Sequence, residues 1–320
     1  MNLTEIWTSL YKLATKQKAF IAILLMLFGM LFSGTEFYSA YNLLDMLNST
    51  SILLILSFGV TLTIISGGCD LSIGGILVVS GILAIKFMSF MPLGLAIILA
   101  ILAGALIGFI NGFLVVHQKT EPFIITLGMG LLLTGIAQQL SNAHPIPASN
   151  PHFMLIGNGT FYGVPNLVII MLIIFLLFFW LMRYTEFGRN LYAIGGDYEV
   201  ALYSGINVIR TKWLAFVISG ATAGLAGVLL SSKLNTGSAI YGDLTALVVN
   251  CGVVVGGTSF AGGIGGIPQS ALGLLVFGML DNMMNMLRIT SYYQVFLKGV
   301  VIVAIIWLDC FVQKRKREKV

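Results

Sequence analysis

Three ionisable side chains, Asp70, Asp281 and Lys298, fall inside strongly apolar stretches of the sequence. Removing such a group from water is costly, so each is a candidate for a functional role. Asp70 follows two glycines and precedes Ser72. It could line a pathway, or it could act with Ser72 as a cap that accepts hydrogen bonds from free N–H groups at the start of the next helix. Both interpretations stay open.

Asp281 and Lys298 carry opposite charges in two consecutive apolar segments. The turn between these segments is predicted near residues 288–290, seven residues after Asp281 and eight before Lys298. At a rise of about 1.5 Å per residue, both lie roughly 10–12 Å below the turn. We predict an interhelical ion pair, because pairing would offset the cost of desolvation. The alternative is that Lys298 extends to the lipid headgroups while Asp281 faces a water-filled pathway.

Two glycine clusters, residues 67–75 and 256–266, interrupt apolar segments. Irregular backbone at membrane depth is tolerated where it is buried in protein or lines a wet cavity. Transporters place such breaks at pathways and gates. The predicted pathway or gate residues lie in these clusters or in the apolar segment after the second one: Asp70, Ser72, Gly74, Thr258, Ser259, Asn282 and Asn285.

Patterns for catalysis and metal binding are missing from the sequence. The three histidines and three cysteines lack metal-ligand spacing, and no nucleophile or acid–base cluster is visible. A phosphate-binding Gly-x-x-x-x-Gly-Lys-Ser/Thr loop is also absent. We therefore expect no catalytic residue, no metal and no cofactor on this chain.

The elements that must position these residues are membrane helices. The sequence is 58% hydrophobic and 9% charged, whereas soluble domains are about 25% charged. A spanning helix needs about 20 apolar residues. We predict an all-α integral membrane protein whose ten spans cover residues 19–35, 49–66, 72–91, 92–116, 122–140, 165–183, 213–232, 243–260, 267–287 and 290–312.

The distribution of basic residues orients these spans. If both termini are cytoplasmic, most of the 17 lysines and arginines fall on the cytoplasmic side, as the positive-inside rule requires. The net charge of +5 is then an orientation signal rather than a nucleic-acid patch. We predict one transmembrane domain over residues 1–320, with a cytoplasmic loop at 184–212, a basic cytoplasmic tail at 313–320 and an outer surface loop without helix at 141–164.

Five blocks in the chain resemble those of a known permease family. They are Gly67–Gly74, Pro122–Gly128, Thr185–Ile206, Gly256–Gly263 and Ser291–Gln294. In this order they resemble the permease subunits of bacterial ABC importers of the ribose, xylose, arabinose and galactose class. Residues 240–250 and 281–285 depart from the family pattern and leave the particular sugar open. The family also includes carriers of autoinducer-2 and of nucleosides, which are the alternative substrates.

The resemblance implies a translocation pathway for a monosaccharide and a set of partners. These are a separate ABC ATPase that carries ATP and Mg, a second permease subunit, a periplasmic or lipid-anchored substrate-binding protein, and the lipid of the bacterial inner membrane. The segment from Glu199 to Gly205 matches the Glu-x-Ala-x-x-x-Gly core of ABC coupling helices. The predicted ATPase coupling residues are Arg189, Glu199, Ala201 and Gly205. An ion-coupled secondary transporter is the alternative from another class.

Overall fold

The computed structural model describes residues 34–242 and 244–303, which are mostly helical, so the prediction of an all-α chain is confirmed. After a short 3-10 helix, Gly34–Tyr38, the helices are α1 (Ala40–Ile65), α2 (Ile73–Phe87), α3 (Leu93–His117), α4 (Pro122–Ser141), α5 (Pro151–Asn158), α6 (Asn166–Tyr184), α7 (Glu186–Gly196), α8 (Tyr198–Tyr203), α9 (Val208–Leu234), α10 (Thr245–Gly256), α11 (Ile267–Met286) and α12 (Ser291–Val303). Two-residue strands form two antiparallel pairs. They join β1 (Ile146–Pro147) to β4 (Thr236–Gly237) and β2 (Thr160–Phe161) to β3 (Val164–Pro165).

Six described segments are long and apolar enough to cross a membrane. They are Ala40–Ile65, Leu93–His117, Pro122–Ser141, Asn166–Tyr184, Val208–Leu234 and Ala239–Gly256. Helices α2 and α12 are apolar but shorter. The predicted span at 19–35 and the predicted tail at 313–320 lie almost wholly outside the described residues. The chain is therefore a multi-pass membrane protein, and ten spans stays a prediction.

The chain divides into two compact units. The larger unit comprises residues 47–274. The other unit joins residues 1–46 to 275–320, of which 34–46 and 275–303 are described.

Helix α9 runs through the larger unit and packs on α3 and α2. Its contact with α3 is made by glycines: a Cβ added to Gly104 would lie 2.6 Å from the carbonyl oxygen of Gly220. The Cα of Gly220 also lies close to Gly108. Small residues at four-residue spacing thus let the two backbones touch, which is how helices associate in lipid.

The start of α1 and the segment 141–164 differ from the sequence prediction. Helix α1 begins at Ala40 rather than at residue 49, because the polar Asn42 in its first turns is satisfied: its Nδ2 donates to the carbonyl oxygen of Phe37 at 2.9 Å. The prediction of a loop without helix at 141–164 is wrong. Asn150 Oδ1 accepts from the backbone N–H of His152 at 2.9 Å, and Pro151 occupies the first turn, so local capping starts α5.

Candidate functional site

The buried carboxylate of Asp70 is held between α1 and α2, in the break at residues 66–72. Its Oδ1 accepts from the backbone N–H of Ser72 at 3.1 Å and from Ser72 Oγ at 2.6 Å. Its Oδ2 accepts from Ser219 Oγ of α9 at 2.8 Å. Asp70, Ser72 and Ser219 are all fully buried. The carboxylate thus fixes the start of α2 and joins it to α9.

Three further helices bind the same break. Asn111 Nδ2 of α3 donates to Ser72 Oγ at 2.8 Å, and Asn250 Nδ2 of α10 donates to the Asp70 carbonyl oxygen at 3.0 Å. Thr126 Oγ1 of α4 accepts from the backbone N–H of Leu71 at 3.0 Å. The contacts of these residues with the Asp70 segment were not predicted from the sequence. Asn111 and Asn250 could have suggested them, because they are amide side chains in otherwise apolar helices.

Within the described part of the chain, no lysine or arginine pairs with Asp70. Its partners are hydroxyl and backbone N–H donors, which hold the carboxyl group in place. The arrangement can fix a bent backbone among packed helices.

Gly74 and the second glycine cluster also lie at close backbone contacts. Gly74, in the first turn of α2, approaches Gly242, where a Cβ would collide with the carbonyl oxygen. Thr258 is buried and exchanges a hydrogen bond with Ser270 Oγ at 3.1 Å; Ser270 in turn accepts from Thr61 Oγ1 at 2.7 Å. Ser259 Oγ accepts from the backbone N–H of Ala261 at 3.2 Å and shapes the loop internally.

The loop at residues 257–266, called the glycine loop below, contacts α7 directly. Gly263 donates its N–H to the carbonyl oxygen of Ile65 at 2.9 Å, and the backbone of Gly195 packs against both. Tyr192 Oη donates to the Gly265 carbonyl oxygen at 2.9 Å. Burial raises the pKa of Tyr192, although the charge of Arg183 acts in the opposite direction.

Helix α8 has six residues and is followed by a glycine in the left-handed backbone conformation. Asp197 Oδ1 caps it by accepting from the N–H of Val200 at 3.0 Å. At its end Gly205 has φ +81°, and the next N–H, of Ile206, donates to the carbonyl oxygen of Ala201 at 3.2 Å. This is the pattern of a Schellman cap.

Ala201 points inward and is buried, whereas Glu199 and Arg189 are exposed. Four apolar or aromatic side chains of α8 are also exposed: Tyr198, Val200, Leu202 and Tyr203. The helix therefore exposes apolar and aromatic side chains on most of its outer side, near charged groups.

The other predicted residues lie in the smaller unit. Lys298 Nζ lies 2.7 Å from Asp281 Oδ1, and both side chains are partly exposed. Asn282 exchanges two amide hydrogen bonds with Asn42, at 2.9 and 3.0 Å, and Asn285 Oδ1 accepts from Gln294 Nε2 at 2.9 Å. These contacts join α1, α11 and α12 within that unit.

Comparison with known proteins assigns the family. Residues 42–306 match the family described as the permease component of the branched-chain amino acid transport system. The chain belongs to this permease family. It is 34% identical over 306 residues to a ribose import permease protein of Haemophilus influenzae, which covers 94% of this chain and 95% of the relative.

Two relatives from Escherichia coli support the same assignment. A D-allose transport system permease protein is 34% identical and covers 92% of this chain and 90% of its own length. A xylose transport system permease protein is 29% identical, with 92% and 91% covered. The resemblance drawn from the five sequence blocks is thus confirmed, and the permease is a transport subunit. A search of solved structures found no match.

Proposed function

We propose that this permease is the membrane-spanning subunit of an ATP-binding-cassette importer and forms the pathway for a monosaccharide. The observation that carries this proposal is its similarity, over most of its length, to permeases named for ribose, allose and xylose. The chain contains no phosphate-binding loop, so ATP hydrolysis falls to a separate ATPase subunit that holds ATP and Mg. Its membrane is the bacterial inner membrane, where a binding protein delivers the sugar from the periplasm to a pair of permease subunits.

Helix α8 is the proposed contact with the ATPase. Its four apolar or aromatic side chains are between 46% and 85% exposed, although they belong to one short helix. Apolar anchors surrounded by charged residues are the usual composition of a protein–protein contact. Arg189 and Glu199 would supply the charged surroundings, Ala201 would hold the helix against its own loop, and Gly205 would end it.

Helix α8 is connected to the glycine loop through α7. A single residue, Asp197, separates α8 from α7, and α7 contacts the glycine loop through Tyr192 and Gly195. Thr258 and Ser259 lie in that loop, and Asp70 lies in the neighbouring break. We assign these residues to the cytoplasmic gate of the pathway. Asn282 and Asn285 are pathway candidates in the smaller unit.

Reconstitution tests the proposal. Vesicles containing the permease, its ATPase and its binding protein should take up labelled ribose, allose or xylose only when ATP is supplied on the ATPase side. Vesicles containing the permease alone should not equilibrate the same sugars under an imposed proton or sodium gradient. Uptake by the permease alone would contradict the proposal and favour an ion-coupled carrier.

A further inference from the structure

An apolar cavity of about 460 Å³, wide open to the surface, lies between α5, the β2–β3 hairpin and the first turns of α6. Its lining consists of Leu155, Ile156, Phe161, Asn166, Ile169 and Ile170. Asn166 is the one polar residue among these, and its Nδ2 already donates to the carbonyl oxygen of Leu155 at 2.9 Å. A sugar needs several polar partners in its site. The cavity therefore suits an apolar ligand.

The wall made by α5 is fixed in place by the end of α9. Ser232 Oγ donates to the carbonyl oxygen of Phe153 at 2.5 Å and accepts from the N–H of Gly157 at 2.8 Å. Asn158 Nδ2 donates to the carbonyl oxygen of Lys233 at 2.7 Å. Because three hydrogen bonds hold α5, the cavity does not depend on a ligand to form.

The cavity lies at a membrane boundary. Helix α6 has 19 residues, and at about 1.5 Å per residue it is roughly as long as the hydrocarbon core is thick. Its residues Leu172, Ile173 and Leu176 are exposed, as expected of a helix face in contact with lipid, and Ile169 and Ile170 continue the same face toward its start. The cavity is thus continuous with the lipid-facing surface. Because α7 follows the other end of α6, this boundary is on the side of the membrane opposite to α8.

Two aromatic side chains project from the same hairpin. Phe161 is 62% and Tyr162 is 93% exposed, and their rings meet edge to face at 4.7 Å between centroids. Tyrosine at the end of a membrane span is typical of the headgroup level.

Charge distinguishes lipid from a soluble partner. From residue 122 to residue 182 the chain contains no Asp, Glu, Lys or Arg. Surfaces that recruit soluble proteins use complementary charge for steering and specificity. An uncharged, aromatic-rimmed surface that continues a lipid-facing helix fits a lipid instead.

We propose that the cavity holds an acyl chain of a phospholipid in the leaflet opposite to α8, with Phe161 and Tyr162 at the level of its headgroup. The site would fix α5, and through α5 the end of α9, to the bilayer.

Photolabelling tests this site directly. The permease is placed in vesicles of phosphatidylethanolamine and phosphatidylglycerol that contain a phospholipid with a diazirine in its acyl chain, and adducts are located by mass spectrometry. Adducts should appear within residues 151–170 as well as on the exposed face of α6. Leu155→Ser should remove the adducts at 151–170 and leave those at residues 172–177. Adducts confined to 172–177 in the unsubstituted protein would overturn the proposal.

A second measurement separates lipid from a protein partner. Phe161→Cys should react slowly with a membrane-impermeant maleimide, whereas Ser149→Cys, in the exposed loop before α5, should react quickly. Equal rates for the two variants would place the hairpin in water and contradict the lipid site. If addition of the binding protein then protected Phe161→Cys, the surface would be a protein-docking site.

Discussion

Tyr192 of α7 donates a hydrogen bond from its Oη to the carbonyl oxygen of Gly265, at 2.9 Å, and thereby joins α7 to the glycine loop. Next to this bond, Gly195 and Gly263 meet backbone to backbone. A side-chain bond and a backbone contact therefore connect two segments more than 60 residues apart in the sequence.

Tyr192→Phe should lower the free energy of unfolding by about 1 kcal/mol, the usual net contribution of one hydrogen bond. It should also lower ATP-driven uptake more than it lowers the amount of folded permease. Tyr184→Phe is the matched control, because the Tyr184 ring is exposed. Equal effects of both variants on uptake would show that the bond has no part in coupling.

The raised pKa of Tyr192 gives this contact a dependence on pH. A group whose folded pKa lies above its unfolded value stabilises the fold fully below the unfolded pKa, about 10 for tyrosine, and loses that contribution as the pH rises through the folded pKa. The difference in melting temperature between the native chain and Tyr192→Phe should accordingly shrink at alkaline pH.

Gly205→Val should abolish uptake and stimulation of the ATPase while the permease stays in the membrane. The space around Gly205 is open, so the expected cause is its φ of +81°, which a β-branched residue adopts only with strain of about 1–2 kcal/mol. Gly205→Asn, which tolerates this conformation, should keep most activity. If the Asn variant also lost activity, glycine would be needed for a reason other than its backbone conformation.

Glu199→Lys should also abolish ATP-driven uptake, because it reverses the charge beside the exposed apolar side chains of α8.

Asp70→Ala should destabilise the larger unit by about 2 kcal/mol or more, since the buried hydroxyls of Ser72 and Ser219 would lose their acceptor. Asp70→Asn keeps the shape and can still hydrogen-bond to both serines. If Asp70 is a structural cap, the Asn variant should retain both stability and uptake. Retained stability with lost uptake would instead show that transport requires the carboxylate.

Gly104→Leu should prevent the close contact of α3 with α9 and cost several kcal/mol, because backbone atoms of Gly220 and Gly224 occupy the space of the new side chain. Gly94→Leu on the same helix meets nothing within 4 Å and serves as the control. Thermal unfolding in detergent measures both. Similar melting temperatures for the two variants would argue against tight packing at this crossing.

Asp281→Asn and Lys298→Met should each destabilise the smaller unit, and the double variant should be less harmful than the sum of the two. We expect a coupling energy of about 1 kcal/mol, because both side chains keep some exposure to solvent. Strictly additive changes in melting temperature would mean that the 2.7 Å contact contributes nothing to stability.

The sequence predicted most helix positions because apolar runs of membrane length are unambiguous. It placed Asp281 and Lys298 at matching depths because their distances from one turn could be counted. It could not reveal that Ser219 contacts Asp70, since 149 residues separate them and serine is common in membrane helices. The start of α1 was also missed. Asn42, near that start, exchanges hydrogen bonds with Asn282, which is 240 residues away in the sequence.

Helix α2 has almost no outer surface. Twelve of its 15 residues are buried within the larger unit, and only Leu83, Lys86 and Phe87 are partly exposed. Its length, about 22 Å, is well below the thickness of the hydrocarbon core. A helix surrounded by protein does not experience hydrophobic mismatch itself. Changes in bilayer thickness should therefore reach the Asp70 break through neighbouring helices such as α3 and α4, which are mostly exposed in the described part of the chain.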